Sequence, residues 1–367
     1  MPLDDATLLT IEDSLIASAL RPERWTDTVT RIVDATGSRG AVALPLKGRV
    51  PGVPVSTSVE ELAGTYFSQG WAARDERGRG IPKLLQTGLF VDQDFATPDF
   101  MRSAPFYSDF LRPLGFQWCA GLLVDVGGDT WTLVLQRSPG QGPFTPDEQV
   151  ALRRLLAPLN RTATLAAQLG EARLGGIADT LETMRAPSLL LDRFGRVLRV
   201  SSHAEAVMGP DLTVRLGEVV APADGRANAA LRAHIAAAIW SEVRPDDLAL
   251  RPVAVARADR RPLLLRAQPL RKSGLDYFDG CRAILTITDL DARARLDRPA
   301  LRQIYGLTPR EAALCEALLQ GASLNAIAET SGTSAHTVRS QMRAIFGKTR
   351  TGGQNELLIL LNRHAQS

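Results

Sequence analysis

The chain has 367 residues, 45% of them hydrophobic, 5% aromatic and 23% charged, with a formal net charge of +3. This is enough apolar material for ordinary cores in two or three domains. No apolar run approaches the roughly eighteen residues that cross a bilayer, and MPLDDATLLTIEDSL carries acids where a signal peptide needs a basic start. The expectation is a soluble cytoplasmic protein. From residue 300 onward seven Arg/Lys face four Asp/Glu, so that segment carries the whole +3 and residues 1 to 299 balance at zero. A basic module on a neutral body suits a nucleic-acid reader with a separate sensing part. Cys119, Cys281 and Cys315 are odd in number, scattered and set in apolar runs, as reduced core thiols would be.

Residues 1–145 read as a first domain. Ile11 to Val33 predicts one or two amphipathic helices broken near Pro22, and Gly40 to Leu46 a short buried strand. Phe116 to Val126 and Thr130 to Gln136 are β-rich runs around Gly127-Gly128-Asp129, which predicts a hairpin. Residues 95 to 118 mix aromatics, prolines and acids. They suit a helical lid over the sheet, a dimer surface or a packed connection. This order resembles an α/β sandwich of the GAF type, or the autoinducer-binding domain of LuxR relatives. In TYFSQGWAARDERGRG, Tyr66, Trp71 and Asp75 stand at i, i+5 and i+9, a spacing that resembles the ligand-contacting tyrosine, aromatic and aspartate of autoinducer domains. The resemblance implies a small-molecule pocket walled by the rings, with the carboxylate fixing a polar group. Leu62 stands where that family has tryptophan and Glu76 where it has proline, which disfavours an acyl-homoserine lactone. Alternatively, the aromatics belong to the core and Asp75 caps a turn or pairs with an arginine.

Residues 146–177 read as a connector. Thr145-Pro146-Asp147-Glu148 is a capping-box pattern, and Leu152, Leu155, Leu156 and Leu159 give an apolar stripe. Pro158 is expected to kink this helix and Gly175-Gly176 to loosen or end it. It is either a dimer seam or a helix packed on its own domain. Residues 178–293 predict strands at Ala186 to Asp192 and Arg196 to Val200, a helix from Ser201, then strands at Leu248 to Arg257, Pro262 to Leu270 and Cys281 to Thr288. A five-stranded antiparallel sheet with helices on one face resembles a PAS domain. Such folds can hold haem or flavin, which would make a gas, redox or light sensor the alternative function. Only His203 and His234 could ligate a haem there, and Cys281 lacks a photochemical setting, so no cofactor is expected.

Residues 300–367 are the most informative. Thr308, Pro309 and Glu311 form a capping box ahead of Leu314, Cys315, Leu318 and Leu319. Gly321 stops that helix, Ser323 caps a second through Leu324, Ile327 and Ala328, and Gly332 turns the chain. Ser334 caps a third helix, whose buried stripe is Val338, Met342, Ile345 and Phe346. Opposite it, His336, Arg339, Ser340 and Arg343 stand at i, i+3, i+4 and i+7. A helix fits the major groove of B-DNA, where arginine can pair with both guanine acceptors. A solvated basic face is the plainer alternative. Leu307-Thr308-Pro309-Arg310-Glu311 and Thr337-Val338-Arg339 resemble the hallmarks of the LuxR-type helix-turn-helix. That resemblance implies base contacts from Arg339, Ser340 and Arg343, and phosphate contacts around Ser334, Thr337 and Lys348. Gln341 stands where many members have histidine.

The fold class expected is thus multidomain α+β: a GAF-like sandwich, a PAS-like domain and an all-α four-helix C-terminal module. ERGRGIP lacks phosphate-loop spacing, GxSxG and HExxH are absent, and Asp92 and Asp94 have no second acidic cluster beside them. No receiver-domain pattern occurs either. No enzyme and no metal site is expected. The partners expected are a small-molecule effector, double-stranded DNA with a pseudo-palindromic operator, and a second copy of the chain, with no membrane.

Overall fold

The computed structural model describes residues 3–48, 53–126, 129–240, 251–270, 280–292 and 295–366. The fold is mixed α and β, and the chain divides into two compact units: Met1–Val255 with Leu265–Ile287, and Ala256–Leu264 with Thr288–Ser367.

The first unit begins with helices α1 (Asp5–Leu20) and α2 (Trp25–Thr36) and strand β1 (Gly40–Pro45). The break between the helices falls at Pro22, as the sequence predicts. Helices α3 (Glu60–Ser68) and α4 (Ile81–Thr87), strand β2 (Leu89–Val91) and helix α5 (Pro98–Ser103) follow, then strands β3 (Trp118–Val126) and β4 (Asp129–Arg137). The sheet order is β1-β4-β3-β2. Val126 pairs with Asp129, so the predicted hairpin closes over residues 127 and 128, which lie outside the described residues. Seven successive residues of β4, Trp131 to Arg137, are buried, because both sheet faces are covered and neither can carry a polar alternation. One face meets Leu15, Trp25, Ile32 and Leu159. On another cluster, Met101, Phe106, Tyr107 and Phe110 pack around Leu62 and Trp71. Residues 95 to 118 therefore pack into the core, through α5 and a π-helical turn at Phe106–Leu111.

The connector follows expectation at its proline and departs from it at its glycines. Helix α6 (Pro146–Arg153) carries the full Thr145/Glu148 capping box, and helix α7 (Leu156–Thr183) runs 28 residues. Pro158 interrupts the helix as expected: it cannot donate to the carbonyl of Arg154 four residues back and its ring crowds it, and α6 and α7 part there, between Arg153 and Leu156. Gly175 and Gly176 lie inside α7 without ending it. Packing holds both sides of the pair: Leu159, Ala163 and Ala166 are buried toward the sandwich, and Leu174 is buried with Leu190 and Cys281 of the next sheet. Asn160 adds a polar link, accepting from the Asp125 amide at 2.8 Å and donating to the Leu123 carbonyl at 3.2 Å. The first half of the connector is thus part of the sandwich.

Strands β5 (Ser188–Asp192) and β6 (Val197–Val200), helix α8 (Ser202–Val207), a β7–β8 ribbon (Thr213–Arg215, Glu218–Val220) and helix α9 (Gly225–Ile239) come next. Strands β9 (Val253–Val255), β10 (Leu263–Pro269) and β11 (Cys281–Asp289) complete a five-stranded sheet of order β6-β5-β11-β10-β9. Of the strand predicted over Leu248 to Arg257, residues 248–250 lie outside the described residues; in the rest only Val253–Val255 is extended in the sheet, so the strand is shorter than expected.

In the second unit, a short strand pair, β12 (Arg295–Leu296) with β13 (Ala365–Gln366), brings the ends of the C-terminal module together. Between them run helices α10 (Arg298–Tyr305), α11 (Pro309–Leu319), α12 (Leu324–Thr330), α13 (Ala335–Thr349) and α14 (Gln354–His364). The module has five helices rather than the four expected; α10 is the additional one, opened by an Asp297 cap and closed by Gly306 at φ +66°. Its core is Leu301, Leu314, Cys315, Val338, Met342, Ile345, Leu357 and Leu361. Each fully buried aliphatic side chain of this kind contributes about 1.5–3 kcal/mol, which suffices to order such short helices.

Candidate nucleic-acid interface and ligand cavity

The turn between α12 and α13 is built as the sequence implies. Ser331, Gly332 and Thr333 connect the helices, with Gly332 at φ +62°, a conformation that favours glycine. Ser334 then accepts from the Thr337 amide at 3.1 Å, and the two hydroxyls lie 2.9 Å apart. Val338, Met342 and Ile345 bury one face of α13. That burial turns His336, Arg339, Ser340 and Arg343 outward, and all four are exposed. Among the described residues no carboxylate pairs with Arg339 or Arg343, so both guanidinium groups are available.

Lys348 is placed differently. Its ammonium lies 2.7 Å from Glu311 Oε2, and Glu311 also accepts from the Thr308 amide at 2.6 Å. The capping box of α11 is thereby tied to the end of α13. Burial pushes the Glu311 carboxyl up, but the bonds from Lys348 and Thr308 outweigh it and hold the carboxyl below its ordinary range.

The sandwich contains a cavity of about 250 Å³. Rings of Tyr66, Phe67, Phe90, Phe106 and Phe110 line it. Phe90 can lie there because its pairing partner in β3 is Gly121, where a Cβ would stand 2.1 Å from the ring. The polar part of the lining is Asp75, Arg77, Thr132 and Gln136. Tyr66 donates to Asp75 Oδ2 at 2.9 Å, and Asp75 Oδ1 accepts from the Arg77 amide at 2.9 Å. Asp75 is only half-buried by surface, because part of that surface is cavity wall. Desolvation nevertheless pushes its carboxyl up, against the opposing pull of the Arg77 guanidinium.

Two of the three residues singled out from sequence, Tyr66 and Asp75, meet at this cavity. Trp71 does not line it. Its ring stacks on Phe110 at 5.2 Å with the Arg74 guanidinium 4.1 Å from its centroid, so it backs the wall from behind. The five-residue step from Tyr66 runs through Gly70, at φ +72°, and carries Trp71 out of the α3 face.

Sequence reasoning missed the polar floor. Arg77 lies 3.4 Å from Asp92, donates to Gln136 Oε1 at 3.0 Å and is buried. Asp92 is fully buried and also accepts from the Tyr107 hydroxyl at 2.6 Å and the Cys119 amide at 2.5 Å. One signal was available: Asp92 directly follows the apolar run Leu89-Phe90-Val91, where a solvated carboxylate is unexpected. Thr132 is also buried, yet among the described residues its hydroxyl has no hydrogen-bond partner. Burial that leaves a hydroxyl unpaired costs about 1–3 kcal/mol.

The two histidines weighed as haem ligands, His203 and His234, are engaged elsewhere. His234 Nε2 accepts from the Ala267 amide at 2.8 Å, and His203 lies 3.5 Å from Glu182. Among the described residues no cluster of three or more His, Cys, Asp or Glu side chains could hold a metal ion. Among them, too, no helix is long and apolar enough to cross a membrane.

No family model matches the chain, and no curated protein matches it. Solved structures that align with it include several of VqmA. A phage VqmA–DPO complex is 18% identical, with 53% of this chain and 90% of that chain covered and a TM-score of 0.21. The Vibrio cholerae VqmA dimer without target DNA, described as a LuxR-type receptor, is 17% identical over 51% and 87%, with a TM-score of 0.20. The Vibrio cholerae VqmA–ligand–DNA complex is 16% identical over 52% and 88%, with a TM-score of 0.22. Superposition this loose establishes neither fold nor function for the present chain, whose reading rests on its own residues.

Proposed function

We propose that this chain is a one-component transcription regulator. It responds to a small-molecule effector and binds double-stranded DNA as a homodimer on a pseudo-palindromic operator, in the cytoplasm and with no catalytic step of its own. On this reading the sandwich is GAF-like or autoinducer-domain-like, the five-stranded sheet is PAS-like, and the C-terminal module is a LuxR-type helix-turn-helix. The observation that carries it is α13: a capped helix, anchored along one face, that presents Arg339, Ser340 and Arg343 exposed on the other, with no carboxylate partner among the described residues. Arginine at such positions can pair with guanine O6 and N7 in the major groove. Ser334, Thr337 and His336 border the same surface and suit phosphate contacts. The sandwich cavity supports the sensing half of the proposal.

Gel shifts on an operator selected from random duplexes test this. Arg339→Ala and Arg343→Ala should each cost about 1–3 kcal/mol and relax base preference at one position per half-site. Unchanged affinity and unchanged preference in both variants would remove α13 from the interface.

A further inference from the structure

We propose that the sandwich cavity takes an uncharged, single-ring aromatic molecule whose carbonyl oxygen or ring nitrogen accepts a hydrogen bond from the Gln136 carboxamide. This rests on the reading of the sandwich as the effector domain and names the chemistry of the effector.

Volume limits size. A dry cavity of roughly 150 Å³ accommodates benzene, so about 250 Å³ takes one ring with a short side chain. The walls favour such a ring, since the rings of Tyr66, Phe67, Phe90, Phe106 and Phe110 line it.

The polar anchor is Gln136. It ends the row Thr132, Val134, Gln136, alternate residues of β4 that all line the cavity, and it is only 3% exposed. Its Oε1 accepts from Arg77 Nη1 at 3.0 Å. A guanidinium has donors alone, so this bond fixes which end of the amide is oxygen and which is nitrogen. Nε2 is left with two N–H donors, and among the described residues neither has an acceptor. Nor is that nitrogen sealed among protein atoms, as the Thr132 hydroxyl is; the cavity is the space it meets. A buried donor left unpaired is costly, so a bound molecule gains by bringing an acceptor to it.

Charge narrows the kind of acceptor. Asp75 in the lining and Asp92 beneath it already set two carboxylates against the one guanidinium of Arg77. A ligand anion would add a third negative charge. An ammonium group has no lone pair and cannot accept from Gln136. A neutral carbonyl oxygen or ring nitrogen meets both conditions.

The test is calorimetric titration of the full chain with acetophenone, ethylbenzene and benzoate, which share a phenyl ring. Ethylbenzene lacks the acceptor, and benzoate carries a charged one. Acetophenone should bind at least about fivefold more tightly than ethylbenzene, which leaves the Gln136 donors desolvated and unpaired. Benzoate should bind more weakly than acetophenone. Gln136→Glu keeps an oxygen for Arg77 and replaces the donor, so the preference for acetophenone over ethylbenzene should disappear. Gln136→Met removes the donor without adding charge and should act alike; it serves if the glutamate variant fails to fold or takes up a proton. Equal affinity for acetophenone and ethylbenzene, no binding of acetophenone, tighter binding of benzoate, or a preference that survives in Gln136→Met overturns the proposal. Gel shifts with the same preparations separate the two readings. Operator binding that persists while the acetophenone preference fails sinks this inference and leaves the regulator standing.

Discussion

Lys348 shows how one side chain can be claimed by both stability and recognition. Resemblance to the LuxR-type module marks it as a phosphate contact, and the structure ties its ammonium to Glu311 at 2.7 Å. The pair is unequal: the lysine side chain is 35% exposed and the glutamate 8%. Exposure on the lysine side screens the pair, so its worth is about 0.5–1 kcal/mol. Lys348→Ala is expected to lower stability by that amount and also to flatten the dependence of operator binding on salt by about one phosphate. Glu311→Gln loses the ion pair yet keeps the lysine charge for DNA. It should match the stability loss in urea denaturation while leaving the salt slope unchanged. If Glu311→Gln flattens the slope as much as Lys348→Ala, then the lysine reaches phosphate only when Glu311 orients it. If neither changes it, Lys348 is structural alone.

At the scale of elements, α7 is the helix in which local sequence rules and tertiary packing disagree. Glycine within a helix costs about 1 kcal/mol relative to alanine through its greater unfolded-state freedom. At both Gly175 and Gly176 an added Cβ would meet nothing within 4 Å. Gly175→Ala and Gly176→Ala should therefore each raise unfolding stability by about 0.5–1 kcal/mol, read as a shift in urea midpoint. A loss of stability in either would show that a contact forms there. The same contrast explains what the sequence made legible. The capping boxes at Thr145/Glu148 and Thr308/Glu311 span three residues and were readable, as were the turn glycines and the hairpin. The apolar stripe of α13 likewise specified which face would remain for Arg339 and Arg343. The cavity floor was not legible, because Arg77 meets Asp92 across 15 residues and Gln136 across 59. Neither separation has a period that a helix or strand would reveal, and ERGRG reads as an ordinary solvated charge run until the sheet closes over it. The glycine pair misled for the related reason that burial on both sides of it decides its effect.

For the whole molecule, the proposed function requires more specificity than one recognition helix can give. A bidentate arginine–guanine pair discriminates by about 1–3 kcal/mol, so Arg339 and Arg343 of a single chain supply only a few kcal/mol. Against a genome of competing sites, specific binding needs about 4–10 kcal/mol over non-specific binding. The basic excess offers little help, since the C-terminal segment carries only +3. Two copies related by a two-fold axis double the reading, and they impose a geometry: half-sites one helical turn apart, about 34–36 Å. Inserting five base pairs between the half-sites should then turn one of them to the far side of the duplex. Affinity is expected to fall by more than about tenfold, the equivalent of 1.4 kcal/mol, and to recover in part when ten base pairs are inserted. Native mass spectrometry of the complex should show two chains per duplex. A single chain per duplex, with affinity indifferent to spacing, would leave α13 as a DNA contact while removing the dimer. The required specificity would then have to come from DNA shape or from residues beyond Arg339, Ser340 and Arg343.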